Sequence, residues 1–188
     1  VVEGINEAGL AAGLFYFPDY GKYEEYSETN YETNISDFQL VSYILGRCAT
    51  VDEVKAEIAR VHIHGFDPRS STVHWRFAEP SGRQIVLEII DGKCVFYENK
   101  LGVLTNSPSF DWQLTNLNNY VNLMPGRTEP HTIGNMSLSS FGGGSAMIGL
   151  PGDFTPPSRF VRAAFFQSTA PQKPDAEGSV CTAFHILG

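Results

Sequence analysis

Apolar positions along this chain repeat with a period of two, then near 3.6, then two again, and the changes of period mark its elements. The opening reads as strand, turn, strand: "VVEGI", the turn "NEAG", then "LAAGLFYFP", whose β-prone Phe15-Tyr16-Phe17 is stopped by Pro18. The polar, aromatic-dotted loop "DYGKYEEYSETNYETN" follows. Ser36 with Gln39 has the capping-box spacing and predicts a helix to about Leu45, with Phe38, Val41 and Leu45 on one face and Gly46 as its stop. Thr50 with Glu53 repeats that spacing before a second helix, with Val51, Val54, Ile58 and Val61 as the buried stripe.

Alternation resumes in "TVHWRFAEPSGRQIVLEIIDGKCVFYE". Val73, Trp75 and Phe77 share one face, Pro80-Ser81-Gly82 turns the chain, and Ile85, Leu87 and Ile89 share a face again. Asp91-Gly92 is a type I′ hairpin signal before a third strand, and "GVLTN" reads as a fourth. From Phe110 the helical period returns through Leu114, Leu117 and Val121. A long irregular stretch from about Met124 to Asp153 has the character of an arm, a lid or an interface. Thr155-Pro156 is an N-cap and first-turn pairing that starts the helix "PPSRFVRAAFFQS". Helices, then sheet, then helices predict an α+β layered domain with an antiparallel sheet.

Composition narrows the class. The 188 residues are 42% hydrophobic and 12% aromatic, enough for one globular domain with a sizeable core. A net charge of -8 and the lack of any Lys/Arg run argue against a nucleic-acid partner. No stretch approaches the roughly 18 to 20 apolar residues of a membrane span, so no membrane partner is expected. Cys48, Cys94 and Cys181 are far apart, with no ligand spacing, and read as buried thiols acting as small hydrophobes. Both ends look cut: the chain starts on Val1 inside a strand pattern, and "SVCTAFHILG" sets Val180, Ala183, Phe184 and Leu187 on an apolar helix face that nothing completes. An internal portion of a longer protein is the expectation.

Candidate chemistry is sparse. His62 and His64 share a face of an extended "VHIHGFD", yet no carboxylate or third His stands at a useful spacing, so no metal site is expected. The Gly-rich "FGGGSAMIGLPGD" lacks the Lys and the strand-to-helix setting of a phosphate loop, and no GxSxG elbow occurs. Arg159 falls in the first turn of a helix, where a cation is unfavourable unless an anion faces it; a structural salt bridge and a functional anion partner both satisfy that condition. Asn106, at a strand end before Pro108, is either a turn residue or a neutral donor to an oxyanion.

Three blocks, "EGINEAGLAAGLFYFPDY", "LGVLTNSPSFDWQLTNLNNY" and "GLPGDFTPPSRFVRAAFF", together resemble the choloylglycine hydrolase family of penicillin V acylases and bile salt hydrolases, in its order and over the whole chain. The resemblance implies an N-terminal nucleophile hydrolase, an αββα sandwich with antiparallel sheets, of which residues 1–188 are a single partial domain. It implies an amide hydrolase with no cofactor, acting on a small acylated molecule through an N-terminal Cys upstream of Val1 whose own α-amine accepts its proton. The family's Arg and Asp that accompany this Cys also fall upstream, so these residues alone are expected to be inactive.

Residue by residue, the resemblance makes Asn106 an oxyanion-hole donor and Arg159 a stabiliser of negative charge near the nucleophile. Tyr16 occupies a position where bile salt hydrolases typically have Asn and penicillin V acylases Tyr. With the Tyr and a segment "VHIHGFDPRSST" shorter than the matching loop of many bile salt hydrolases, the chain looks closest to the Gram-negative acylase group, some of which deacylate N-acyl homoserine lactones. Val73, just past that loop, would line the acyl pocket. Conjugated bile salts are the alternative substrate, and a non-catalytic ligand-binding relative the alternative class. The resemblance further implies a homotetramer with residues 120–152 as an inter-subunit arm, and a bacterial protein that is periplasmic or secreted rather than cytoplasmic.

Overall fold

The computed structural model describes residues 1–67 and 69–187, the side chain of Leu187 excepted. Two compact units divide it, residues 1–112 and 113–188.

In the first unit the opening turn is built by one side chain. Asn6 Oδ1 accepts from the main chain of Ala8 and Leu10, and its Nδ2 donates to the carbonyls of Leu45 and Cys48 at 2.9 and 2.7 Å. This turn joins β1 (Glu3–Ile5) to β2 (Ala11–Tyr16). β3 (Asn34–Ser36), α1 (Leu40–Leu45), α2 (Val51–Ile58) and β4 (His62–His64) follow, then the meander β5 (Val73–Ala78), β6 (Gln84–Ile90) and β7 (Lys93–Glu98). The main sheet is antiparallel in the order β1-β2-β5-β6-β7. Its β6–β7 hairpin turns on Asp91 and Gly92, both at positive φ (49° and 73°), as the sequence predicts.

Register decides which face is core. Tyr16 stands opposite Val73, Leu14 opposite Trp75, and Ala12 opposite Phe77, while Trp75 pairs with Leu87 and Phe77 with Ile85. That face, with α1 and α2 against it, forms one cluster that includes Leu40, Ile44, Val54, Ile58, Val73, Trp75, Phe77 and Leu87, all essentially fully buried. The capping box on α2 is made as predicted: Thr50 Oγ1 accepts from Glu53 N, and Glu53 Oε2 accepts from Thr50 N.

Several expectations are corrected. The first helix begins at Leu40, not Ser36, because residues 34–36 pair in parallel with residues 62–64. Only half of the expected Ser36 box exists: Ser36 N donates to Gln39 Oε1, but Ser36 Oγ turns to Asp37. "GVLTN" joins no ladder. Its start is instead shaped by buried Asn99, which accepts from Gly102 N at 2.9 Å and donates to Val103 O at 3.0 Å, with Gly102 supplying a positive φ of 68° for the turn. Of the thiols, only Cys48 is buried, where desolvation pushes its pKa up; Cys94 and Cys181 are exposed. Cys94 stands opposite Ile89 near the start of β7, on the core-side face, and is exposed there.

α3 (Phe110–Asn116) begins at the predicted residue but tightens into a 3-10 turn over Leu117–Tyr120. In the second unit, the stretch expected to be irregular carries a hairpin, β8 (His131–Ile133) with β9 (Met136–Leu138), and a 3-10 turn at Ser145–Met147. α4 (Pro156–Thr169) matches its predicted start and buries Ser158, Phe160, Val161 and Ala164. α5 (Ala176–Leu187) leaves Val180 and Phe184 exposed. Pro68 and Gly188 lie outside the described residues.

Candidate active site

The face of the sheet opposite the helices carries polar groups. In β5, residues that alternate with the core set are His74 and Arg76, and in β6 Glu88 takes the same side. His74 Nδ1 lies 3.0 Å from Glu88 Oε1, and both side chains are essentially inaccessible to solvent. Phe17 stacks flat on the imidazole, with ring centroids 4.5 Å apart and planes 10° apart.

Against this face run the end of β2 and the unladdered stretch 102–109, and hydrogen bonds tie the two together. Asn106 Nδ2 donates to Tyr16 O at 2.8 Å, and Ser107 Oγ to Pro18 O at 2.6 Å. Thr72 closes the other side, accepting from Phe17 N at its carbonyl and donating its hydroxyl to Phe17 O. The Ser107-Pro108 peptide bond is cis. Asn106 therefore stands in a stretch held by side chains, with its amide plane set by a main-chain acceptor.

The structure thus brings Asn106 and Tyr16 together, through the Tyr16 carbonyl rather than its ring; the phenol side chain is 61% exposed. Val73 is opposite Tyr16 in the ladder, but its side chain is fully buried in the core cluster, and its main chain is engaged by Tyr23, whose hydroxyl accepts from Val73 N at 2.7 Å. The expected pocket-lining place of Val73 therefore has no support in this unit. Burial, the largest effect, pushes the Tyr23 hydroxyl well above its usual range, which keeps it neutral there.

Arg159 belongs to the second unit. Its Nε donates to Phe154 O at 3.1 Å, and Arg162 Nη1 donates to the carbonyls of Pro151 and Asp153 at 2.9 and 2.6 Å. The two guanidinium groups gather the loop that enters α4. Thr155 makes no side-chain cap bond; the negative charge at the helix start comes from Asp153, which accepts from Ser158 Oγ, Thr155 Oγ1 and Thr155 N. Those bonds, that of Ser158 foremost, hold its carboxyl down at about 2.

A carboxyl depressed on folding contributes stability above the ordinary carboxylate range and loses it as pH falls through about 2. Carboxyl NMR should show Asp153 titrating near 2, and Ser158→Ala should move the midpoint up toward the ordinary value of about 3.9. An Asp153 midpoint already at the ordinary value in the unmodified protein would contradict this bonding.

Sequence reasoning missed the His74–Glu88 pair. Its signal was present: a His in "VHWRFA" and a Glu in "QIVLEII" interrupt two otherwise apolar strands, and hairpin register sets them side by side. His62 and His64 take local bonds, to Thr33 Oγ1 and to Gly65 O, each at 3.0 Å.

The antiparallel sheet with helices packed on one face is the arrangement of an N-terminal nucleophile hydrolase, the fold this chain shares with solved relatives. The chain belongs to the linear amide C–N hydrolases, choloylglycine hydrolase family, whose model matches residues 1–188. It is similar to the bile salt hydrolase/transferase of Clostridium perfringens, 36% identical over 190 residues that cover 98% of this chain and 57% of that protein. A crystal structure of a variant conjugated bile acid hydrolase from the same organism superposes with a TM-score of 0.84 at 35% identity, covering 99% of this chain and 58% of the other. The penicillin V acylase of Agrobacterium tumefaciens superposes at 0.78 with 25% identity, covering the whole of this chain and 51% of the other. The chain thus spans little more than half the length of these relatives.

Proposed function

We propose that the full-length protein carrying these residues is an amidohydrolase whose nucleophile is an N-terminal Cys upstream of Val1. The observation that carries this reading is the 2.8 Å bond from Asn106 Nδ2 to Tyr16 O, which holds a neutral amide donor in a fixed plane. The Cys thiolate attacks the substrate carbonyl, its α-amine having taken the thiol proton. Negative charge then grows on the carbonyl oxygen, where the Asn106 amide donates. The C–N bond breaks as the proton passes to the leaving amine, and water hydrolyses the thioester.

The substrate is an acylated small molecule, penicillin V-like or an N-acyl homoserine lactone, and Tyr16 is what favours this side. Because Asn106 meets the carbonyl of residue 16 and not its side chain, that position can change substrate preference without breaking the bond. Conjugated bile salts are the second reading, favoured by the higher identity and TM-score of the Clostridium perfringens proteins. A homotetramer joined through residues 120–152 is supported by the apolar side chains exposed there, Ile133, Met136 and Phe141. A periplasmic or secreted place in a bacterium accompanies the reading.

A hydrolysis panel of penicillin V, glycocholate, taurocholate and a long-chain acyl homoserine lactone tests it in the full-length protein. Penicillin V or the lactone should turn over faster than either bile salt, and Tyr16→Asn should shift the ratio toward glycocholate by about tenfold, the scale of one binding contact. Preference for bile salts in the unmodified protein selects the second reading. Mass spectrometry of the mature protein should find Cys at its N-terminus; another residue there, with no turnover, makes it a non-catalytic relative.

A further inference from the structure

The His74–Glu88 pair is buried in the sheet and contacts the segments that carry Asn106 and Tyr16. His74 Nε2 lies 3.3 Å from Thr105 O, the residue before Asn106. Glu88 Oε1 accepts from Phe110 N at 2.9 Å, four residues after Asn106, where α3 begins. Phe17, the residue after Tyr16, stacks on the imidazole. The stretch 106–109 therefore hangs between two anchors provided by one pair, and the acceptor of the Asn106 amide adjoins a ring packed on that pair.

We infer that His74 and Glu88 are positioning residues for the oxyanion donor, setting Asn106 by clamping the main chain on either side of it. This inference rests on the proposed role of Asn106. The protonation of the pair follows from its partners. Nε2 faces a carbonyl oxygen, which only accepts, so Nε2 carries hydrogen when this bond is made. Nδ1 faces Glu88 Oε1, so one more proton lies between those two atoms, on either side, and the pair is neutral as a whole. The Thr105 anchor needs that shared proton. Without it a net negative charge is left in a site closed to solvent, and the single imidazole hydrogen serves either Glu88 or Thr105 O, not both.

Glu88→Gln tests this with almost no change of shape. A neutral imidazole cannot donate from both nitrogens, so the Gln either accepts from Nδ1–H and leaves bare Nε2 against Thr105 O, or turns its amide to Nδ1 and loses Phe110 N. One anchor fails in each case. His74→Phe is the second variant: it keeps a ring for Phe17 to stack on and removes both hydrogen bonds.

The experiment is a double-mutant cycle in the full-length protein, with turnover expressed per titrated active-site thiol so that misfolded molecules do not count. Each of Glu88→Gln and His74→Phe should lower kcat about ten- to a hundredfold, the scale of displacing a catalytic group by about 1 Å, with KM changed less than about threefold. In an Asn106→Ala background each should cost less than about threefold, because the group they position is gone. A merely structural pair gives the same loss in both backgrounds, and that result, or unchanged kcat in either single variant, overturns the inference. If Asn106→Ala itself leaves turnover unchanged, the oxyanion reading fails and this inference with it. A large Asn106 effect with additive losses overturns the inference alone.

Discussion

Asn106→Ala in the full-length protein is expected to lower kcat by about two to three orders of magnitude, the usual cost of deleting one oxyanion donor. The structure gives this expectation a geometric basis. The side chain does not wave from a loop end: its Nδ2 is bonded to Tyr16 O, and Ser107, next along, is bonded to Pro18 O. A donor whose orientation is set before substrate arrives costs no reorganisation when charge develops on the carbonyl oxygen, so its removal falls on the transition state and not on ground-state binding. KM should accordingly move much less than kcat. Asn106→Asp separates charge from shape. It keeps the size of the side chain but sets a carboxylate against the Tyr16 carbonyl and the developing oxyanion, so it should be at least as damaging as Ala. Turnover unchanged in both variants would return Asn106 to the role of a turn residue.

Phe77→Ala should cost about 3–5 kcal/mol of stability, the range for truncating a fully buried aromatic. Phe77 has no solvent exposure and stands between Ala12 and Ile85 in the ladder, with the helix layer on the same face of the sheet. Ala12 is too small to fill the space, and strands paired on both sides cannot close in, so the cavity persists. At roughly 2–4 °C per kcal/mol for a domain of this size, thermal unfolding should fall by on the order of 10 °C. Phe77→Leu should fall by less, since it keeps most of the volume. Equal losses for Ala and Leu would show that the site relaxes around the deletion, contrary to this packing.

These two residues differ in how far the sequence alone reveals them. Phe77 was legible because Val73, Trp75 and Phe77 alternate, and alternation is a local consequence of the strand pleat. The Asp91-Gly92 turn and the Thr50–Glu53 cap were legible for the same reason, each being set by residues within four positions. The Ser36–Gln39 spacing looked equivalent and misled, because a partner strand at residues 62–64 claims residues 34–36 and no local rule records that competition. "GVLTN" misled in the opposite direction: its residues suit a strand, but Asn99 and His74 take up main-chain groups that a ladder would have used. The hairpin at residues 131–138 has little apolar alternation to announce it and lies on exposed positions.

For the candidate site, the blocks around Tyr16, Asn106 and Arg159 were enough to place the chain in its family, since such motifs are contiguous in sequence. They also pointed to an amide at residue 106 as the donor. What the amide bonds to was not readable, because Asn106 and Tyr16 are 90 residues apart and meet only once the sheet has formed. The same holds for the pair behind them. His74 and Glu88 read singly as polar interruptions in two buried strands, and only the register of β5 on β6 makes them one hydrogen-bonded unit beneath the Asn106 segment. Short-range steric and hydrogen-bonding preferences determined the helices, strands and turns from the sequence. Strand pairing, a long-range choice settled by burial of the whole core, decided which polar groups face one another.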